Sequence, residues 1–397
     1  MTTTMPHYGP PPIGRGALFL LFLRFGCLAF GGPVAQIAMI RQALVEEARW
    51  LSPARFNRLL AVMQILPGPE AHELCVHMGM MARGRIGGLL AGLGFMAPGF
   101  LLMLGAGWLY RHWIGQAAWA APALFGVQLI VLAVILRAVQ RIGGHILEDR
   151  LLWLVAAGAF VATLLGTPFW IPLLVGGLVY HFRASPPVAL ALAVAGLLCA
   201  LWLHPAPSAS TPAAAGPSLA ANGWLLFLAG LKGGLLTFGG AYTAIPYVRG
   251  DTVGRHWLSD AAFLDGVALA GVLPAPLVIF ATFIGYVAGG WVGAVAITAG
   301  MFLPAFAFSM LFFDRLESLV ENPALHSALA GVAAAVVGVI GATLVQLGWA
   351  AFGRATHIGA AVLIVATGLL IGWRFKGRWV MPATVAVGAL AGGLLRP

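Results

Sequence analysis

Apolar residues run along this chain in long blocks separated by short polar connections. Residues 86–110, 117–139 and 324–351 are each long enough to cross a ~30 Å hydrocarbon core as a helix, so the pattern predicts an all-α polytopic membrane protein. Residues 17–40 read as the first span, although Arg24 lies inside it and the run Phe30-Gly31-Gly32-Pro33 should loosen or end its helix. Residues 53–82 break the pattern. Trp50-Leu51-Ser52-Pro53 reads as a helix start, with Ser52 as N-cap and Pro53 at the first helical position. The 30 residues that follow would make ~45 Å of helix at 1.5 Å per residue, too long for one crossing and too short for two. Inside them stands Leu66-Pro67-Gly68-Pro69-Glu70. Proline removes a backbone donor and forces the residue before it out of the α region, so helix must stop near Leu66 and restart near Glu70. Two half-helices meeting at 66–69 fit this segment.

The same order of features recurs in 223–311, at offsets of 208, then 207, then 206 residues. Phe30-Gly31-Gly32 matches Phe238-Gly239-Gly240, Arg41 matches Arg249, and Trp50-Leu51-Ser52 matches Trp257-Leu258-Ser259. Leu66-Pro67-Gly68-Pro69 matches Leu273-Pro274-Ala275-Pro276, and Gly79, Gly84, Gly87 and Pro98 match Gly285, Gly290, Gly293 and Pro304. An internal duplication with interrupted apolar segments at corresponding positions is the signature of a secondary transporter whose substrate site lies near the repeat interface. The expected organisation is a tail (1–16), a first repeat domain (17–203), a Pro/Ala/Ser-rich linker (204–222) and a second repeat domain (223–397). Whether the copies are inverted or parallel turns on the broken segment: a single crossing inverts the second copy, whereas a re-entrant hairpin does not. Arginines on both sides of the segment favour the hairpin, the few basic residues of 223–311 fit inversion, and both arrangements stay open.

Composition supports the membrane reading and removes others. The chain is 61% hydrophobic and 9% charged, against roughly 45–50% and 25% in soluble domains, and neither polar stretch, 1–15 or 204–222, could bury a core. Its net charge of +10 would suggest nucleic acid in a soluble protein. Here the basic residues sit in connections, where topology accounts for them. Arg41, Arg49, Arg55, Arg58, Arg83 and Arg85, with Arg137, Arg141 and Arg150, are placed in the cytoplasm; 204–222 carries no Lys or Arg. Lipid is an expected partner and nucleic acid is not, and a homodimer is admitted. Cys27, Cys75 and Cys199 show no ligand spacing and read as reduced core residues. The N-terminus shows no clear cleavage site and reads as an uncleaved first span.

Non-helical backbone at membrane depth is tolerated where it faces protein or a water-filled cavity, and a restarted helix points its N–H groups and positive dipole end there. Such an arrangement binds anions. The expected substrate-facing backbone is therefore Gly31, Gly32, Pro67, Gly68 and Pro69 in the first copy and Gly239, Gly240, Pro274, Ala275 and Pro276 in the second. Arg24 and Lys232 each lie six residues before the Phe-Gly-Gly run of their copy. A cation there costs roughly 2.5–3.5 kcal/mol unless it faces a cavity or a partner, so two cations from two repeats are expected to receive one dianion, with snorkelling to the interface as the alternative. Glu70 starts the second half-helix, and its counterpart is Leu277. A carboxylate present in one copy suits a single proton-coupling site, with simple capping as the alternative. His72, Glu73 and His77 do not make a zinc site, because a five-residue His spacing rotates the ligands ~140° apart. No metal, cofactor or catalytic residue is expected.

Phe-Gly-Gly-Pro at 30–33, Trp-Leu-Ser at 50–52, Leu-Pro-Gly-Pro-Glu at 66–70, and Lys232 with Thr-Phe-Gly-Gly-Ala-Tyr at 237–242 together resemble the chromate ion transporter family in its long, two-domain form. The resemblance covers nearly the whole chain. It implies a secondary transporter, not an enzyme, that exports chromate across the bacterial inner membrane under the proton or potential gradient, with sulfate as the isosteric analogue. The competing readings are a passive oxyanion channel and a sulfate uptake carrier. Three positions depart from the family's usual pattern: Ala275, where glycine is common, and His72 and Glu73, where Gln-Gln is more usual.

Overall fold

Proline and glycine end the helices where the pattern says they should, but they send the chain back rather than across. A computed structural model describes residues 8–30, 32–63, 66–114, 117, 120–168, 170–202, 220–237, 241–313, 323–375 and 380–394, and every regular element within them is helical. Helix α1 (Arg15–Cys27) is followed by α2 (Gly32–Arg41), with Pro33 in the first turn of the new helix, where its missing N–H costs nothing. The Gln36 amide reaches back to the Ala29 carbonyl at 2.9 Å, so α2 folds against the end of α1. Helix α3 (Pro53–Met63) and the first part of α4 (Glu70–His112) repeat this in-and-out path. The Gly9 N–H donates to the Arg49 carbonyl at 3.3 Å, and Arg83 Nε donates to the Ile13 carbonyl at 2.6 Å. Arg49, Arg83 and the start of α1 therefore share one surface, and both segments are re-entrant. The expectation that 17–40 spans the membrane is corrected: thirteen residues make only ~20 Å of helix before the break turns the chain around.

Helix α4 is itself folded at Arg83 (φ −148°, ψ 28°) and Gly84 (φ 60°, ψ −154°). The backbones of Gly79 and Gly87 touch, and Gly92 packs on Val76, so 70–82 runs antiparallel to 85–112. Gly84 occupies a region closed to side chains, yet a methyl group there would meet nothing within 4 Å. Gly84→Ala is thus expected to cost ~1–3 kcal/mol from backbone strain alone, read as a lower thermal midpoint in detergent. Gly144→Ala, also in open space but inside helix α5 (Ala120–Ile146), should be neutral or stabilising by ~0.5–1 kcal/mol. Equal midpoints for both variants would show that the turn is not strained.

The stretch 85–112 then crosses to the opposite surface, and α5 returns. Helices α6 (Arg150–Leu164) and α7 (Trp170–His181) form another re-entrant pair, closed at the first surface by the Tyr180 hydroxyl donating to Asp149 at 2.7 Å, with Arg183 at 4.0 Å from the same carboxylate. From α8 (Pro186–Trp202) the chain reaches the opposite surface, where Gly223, the first residue of α9 (Gly223–Leu235), packs on Val292.

The second copy repeats the plan: α9 and α10 (Ala244–Thr252), α11 (Asp260–Val272) and the first part of α12 (Phe280–Leu311), then α13 (Pro323–Phe352), α14 (Ile358–Arg374) and α15 (Val380–Leu394). Its fold-back at Gly289 and Gly290 has dihedrals (−138°, 19° and 64°, −157°) close to those of Arg83 and Gly84. Gly94 packs on the backbone of Phe19 and Leu23, and Gly300 packs on the backbone of their counterparts Phe227 and Leu231; small residues let the helices approach. A methyl group added at Gly290 would come within 3.9 Å of the Arg111 guanidinium, so the fold-back of the second copy lies at the far end of 85–112 from Gly84. The repeats are inverted. Hairpin and inversion coexist because 17–40 adds no crossing, so 85–112, α5 and the passage through α8 make an odd count.

Candidate functional site

Four re-entrant tips meet at mid-depth. Gly99, halfway along 85–112, packs directly on Ala275. The Gly68 N–H donates to the Thr237 carbonyl at 2.8 Å, tying the proline loop of the first copy to the end of α9. The symmetry-related contact, between Ala275 and Ala29, is bridged by Gln36, whose amide donates to both carbonyls at 2.9 Å. Between the tips lies a cavity of about 10 Å³ lined by Pro33, Gln36, Pro69, Glu70, Ala71, Ala241, Pro276 and Leu277, room for roughly one water.

Each hairpin returns from its tip as a helix, so helix starts converge on this cavity from all four: α2 at Gly32, α4 at Glu70, α10 just after Ala241, and α12 after the 3₁₀ turn Leu277–Ile279. Each start carries roughly +0.5 charge. Prolines stand at all four: Pro33 in the first turn of α2, Pro69 capping α4, Pro246 in the first turn of α10, and Pro276 before the turn into α12. The cavity is positive by backbone geometry, and the one carboxyl group among its described lining residues is Glu70, which is 8% exposed.

The sequence-predicted residues divide. Pro69, Glu70 and Pro276 line the cavity, Gly68 and Ala275 form the tip-to-tip contacts, Pro67 is buried beside them, Pro274 is partly buried, and Gly32 opens α2. Gly31, Gly239 and Gly240 lie outside the described residues. Arg24 is exposed on α1, while Lys232 forms a 2.9 Å ion pair with Asp251; neither lines the cavity. Sequence reading missed Gln36, a lone amide in an apolar run with alanine (Ala244) at the matching place. It also missed Asp265, buried in α11, which accepts from the Tyr110 hydroxyl at 2.9 Å and from Gln128 Nε2 at 2.7 Å, while Arg354 donates to Gln128 at 2.8 Å. This network ties the tip-bearing helix α11 to α4, α5 and the segment after α13.

The sequence profile of the chromate transporter family matches residues 16–182 and 224–393, one match in each inverted repeat. The chain belongs to the chromate transporter family. It is 54% identical over 395 residues to a chromate transport protein of Pseudomonas aeruginosa, covering 98% of this chain and 94% of that one. A chromate transport protein of Cupriavidus metallidurans is 33% identical over 392 residues, covering 96% and 93%. A probable chromate transport protein of Synechococcus elongatus is 28% identical over 379 residues, covering 94% and 93%. No solved structure matches this chain. As a chromate transporter family member it is a multi-pass membrane transport protein, and the matched segments together include all four tips.

Proposed function

We propose that this protein is a secondary active transporter that exports chromate, and sulfate-like oxyanions of the same shape, across the bacterial inner membrane, with Glu70 linking transport to protonation. The observation that carries this reading is the convergence of four helix starts on one small cavity at mid-depth. Together they offer roughly two positive charges, the charge a tetrahedral dianion needs. An ionised Glu70 subtracts one of them, so its protonation strengthens the pull on the anion, and the two binding events are linked through charge. Arg24 and Lys232 supply the remaining compensation as the tips part. A one-water cavity favours a carrier that opens to each side in turn over a passive pore. The substrate-facing residues are the tips of the two repeat domains, 17–203 and 223–397.

Uptake of labelled chromate and sulfate into proteoliposomes, with and without an imposed pH gradient, tests the reading. Saturable chromate flux that responds to the gradient supports it; flux indifferent to pH and unsaturable would identify a channel. Glu70→Gln is expected to preserve chromate binding and flatten the pH dependence of transport. A folded Glu70→Gln protein with the wild-type pH profile would leave Glu70 as a helix cap.

A further inference from the structure

Helix 70–82 carries more buried chemistry than the cavity uses. Glu70, Glu73 and His77 follow at i, i+3 and i+7, one stripe of the helix, with neighbours on such a stripe ~5–6 Å apart at Cβ. Glu73 is fully buried and His77 is 2% exposed. Among the described residues, neither carboxylate oxygen of Glu73 and neither ring nitrogen of His77 has a hydrogen-bond partner. Burying a polar group without a partner is costly, and among the described residues two polar side chains on one helix, Glu73 and His77, stand that way. The stripe also has a direction. Glu70 lies at the cavity, Glu73 sits against Gly68 of the proline loop, and His77 packs on Phe313 beyond the end of α12, with ring centroids 4.6 Å apart. The helix ends one turn further on, at the arginine-bearing surface of Arg83.

We propose that Glu73 and His77 form the proton path between Glu70 and that surface, an inference that rests on the proton-coupled reading above. A proton on the Glu70 carboxyl passes to the Glu73 carboxylate, leaving Glu70 ionised. Glu73 passes it to a neutral His77 ring nitrogen, and the resulting imidazolium releases it to water near Arg55. The reverse sequence loads Glu70. Among the described residues, the groups facing this stripe from other elements are few. Arg141 of α5 acts electrostatically on Glu70, Arg55 of α3 acts on His77, and the Ser309 hydroxyl of α12 lies 3.5 Å from the Glu73 carbonyl. The carboxyls of Glu70 and Glu73 interact directly through their charges. His72 points off the stripe, its ring packed edge-on between Phe302 and Phe306 at 4.8 and 4.7 Å.

The test uses the full-length protein in proteoliposomes loaded with a pH-sensitive dye, with two readouts. One is chromate-for-chromate exchange, which needs no net proton movement; the other is proton flux driven by a chromate gradient. Glu73→Gln and His77→Gln are expected to keep exchange within about twofold and to lose at least about tenfold in proton flux. His72→Gln should change neither. Retained exchange establishes that the variants fold. Wild-type coupling in both Glu73→Gln and His77→Gln overturns the path while leaving the role of Glu70 standing. A wild-type protein that exchanges chromate but moves no protons overturns the coupled reading and the path with it.

Discussion

Arg24→Ala is expected to weaken chromate binding more than about a hundredfold, and Lys232→Ala to do the same, with the two losses differing in what else they disturb. Both cations stand outside the cavity in this conformation, so the expectation applies to the state in which the parted tips enclose them with the dianion. There, removing one partner of a buried charge interaction typically costs ~3–5 kcal/mol, and ~1.4 kcal/mol is a tenfold change in affinity. For Lys232 the loss has two sources. Its ammonium lies 2.9 Å from Asp251, with side-chain exposures of 27% and 15%, so truncation also leaves a mostly buried acid facing the more distant Arg255, at 3.8 Å. The double variant Lys232→Ala/Asp251→Ala separates them. If Lys232 receives the dianion, the double variant stays weak; if Lys232 serves only to neutralise Asp251, affinity returns. Arg24 needs no such control. The position that matches Asp251 in the first copy is Ala43, and Arg24 forms no ion pair among the described residues. Arg24→Lys should fall between wild type and Arg24→Ala, since lysine keeps the charge and loses the two-pronged grip on oxygens. Wild-type affinity in Arg24→Ala would return Arg24 to the lipid interface, and wild-type affinity in the double variant would leave Lys232 as the counter-ion of Asp251.

What could be read from the sequence was whatever proline, glycine and repetition encode. The tips at 66–69 and 273–276 follow from two prolines flanking one residue, a break stronger than the single Pro98 and Pro304 that stay inside helices, whereas the glycines at 84 and 290 were matched between the copies without the fold-backs being read from them. Span counting failed at 17–40, where 24 apolar-rich residues look like a crossing. Periodicity cannot distinguish one helix of that length from two short ones folded together, and only the Phe30–Pro33 break hinted at the difference. That miscount also left the repeat orientation open. Inside the site, sequence pattern found groups that are unusual by charge and overlooked those unusual by surroundings. Gln36 and Glu73 matter because of which carbonyls and loops they meet across the fold, and those meetings involve partners such as Ala275, 239 residues away.

The two copies differ at the centre of their proline loops, and substitutions there should be unequal. Gly68→Ala is expected to reduce transport about five- to a hundredfold, whereas Ala275→Gly should cost less than tenfold. Gly68 has φ 147°, a conformation side chains rarely adopt, and an added methyl group would run into the carboxylate of Glu73 and come within 3.2 Å of Ala305 Cβ. Strain of this kind costs ~1–3 kcal/mol, and relief requires moving either the tip that holds Thr237 or the buried Glu73. Neither is free to shift. The loop is tied by the Gly68 N–H, and Glu73 is surrounded by packed helix. At Ala275 the methyl group already has a place, because Gly99 on the facing helix leaves room for it. Removing that methyl loses ~0.8 kcal/mol of burial and adds some backbone freedom, without displacing a neighbour. Chromate flux and thermal midpoint of both variants in one detergent decide the matter. If Gly68→Ala transports and melts like wild type while Ala275→Gly does not, the first-copy loop is the more adaptable one, and the room left at Gly68 is not what seats Glu73.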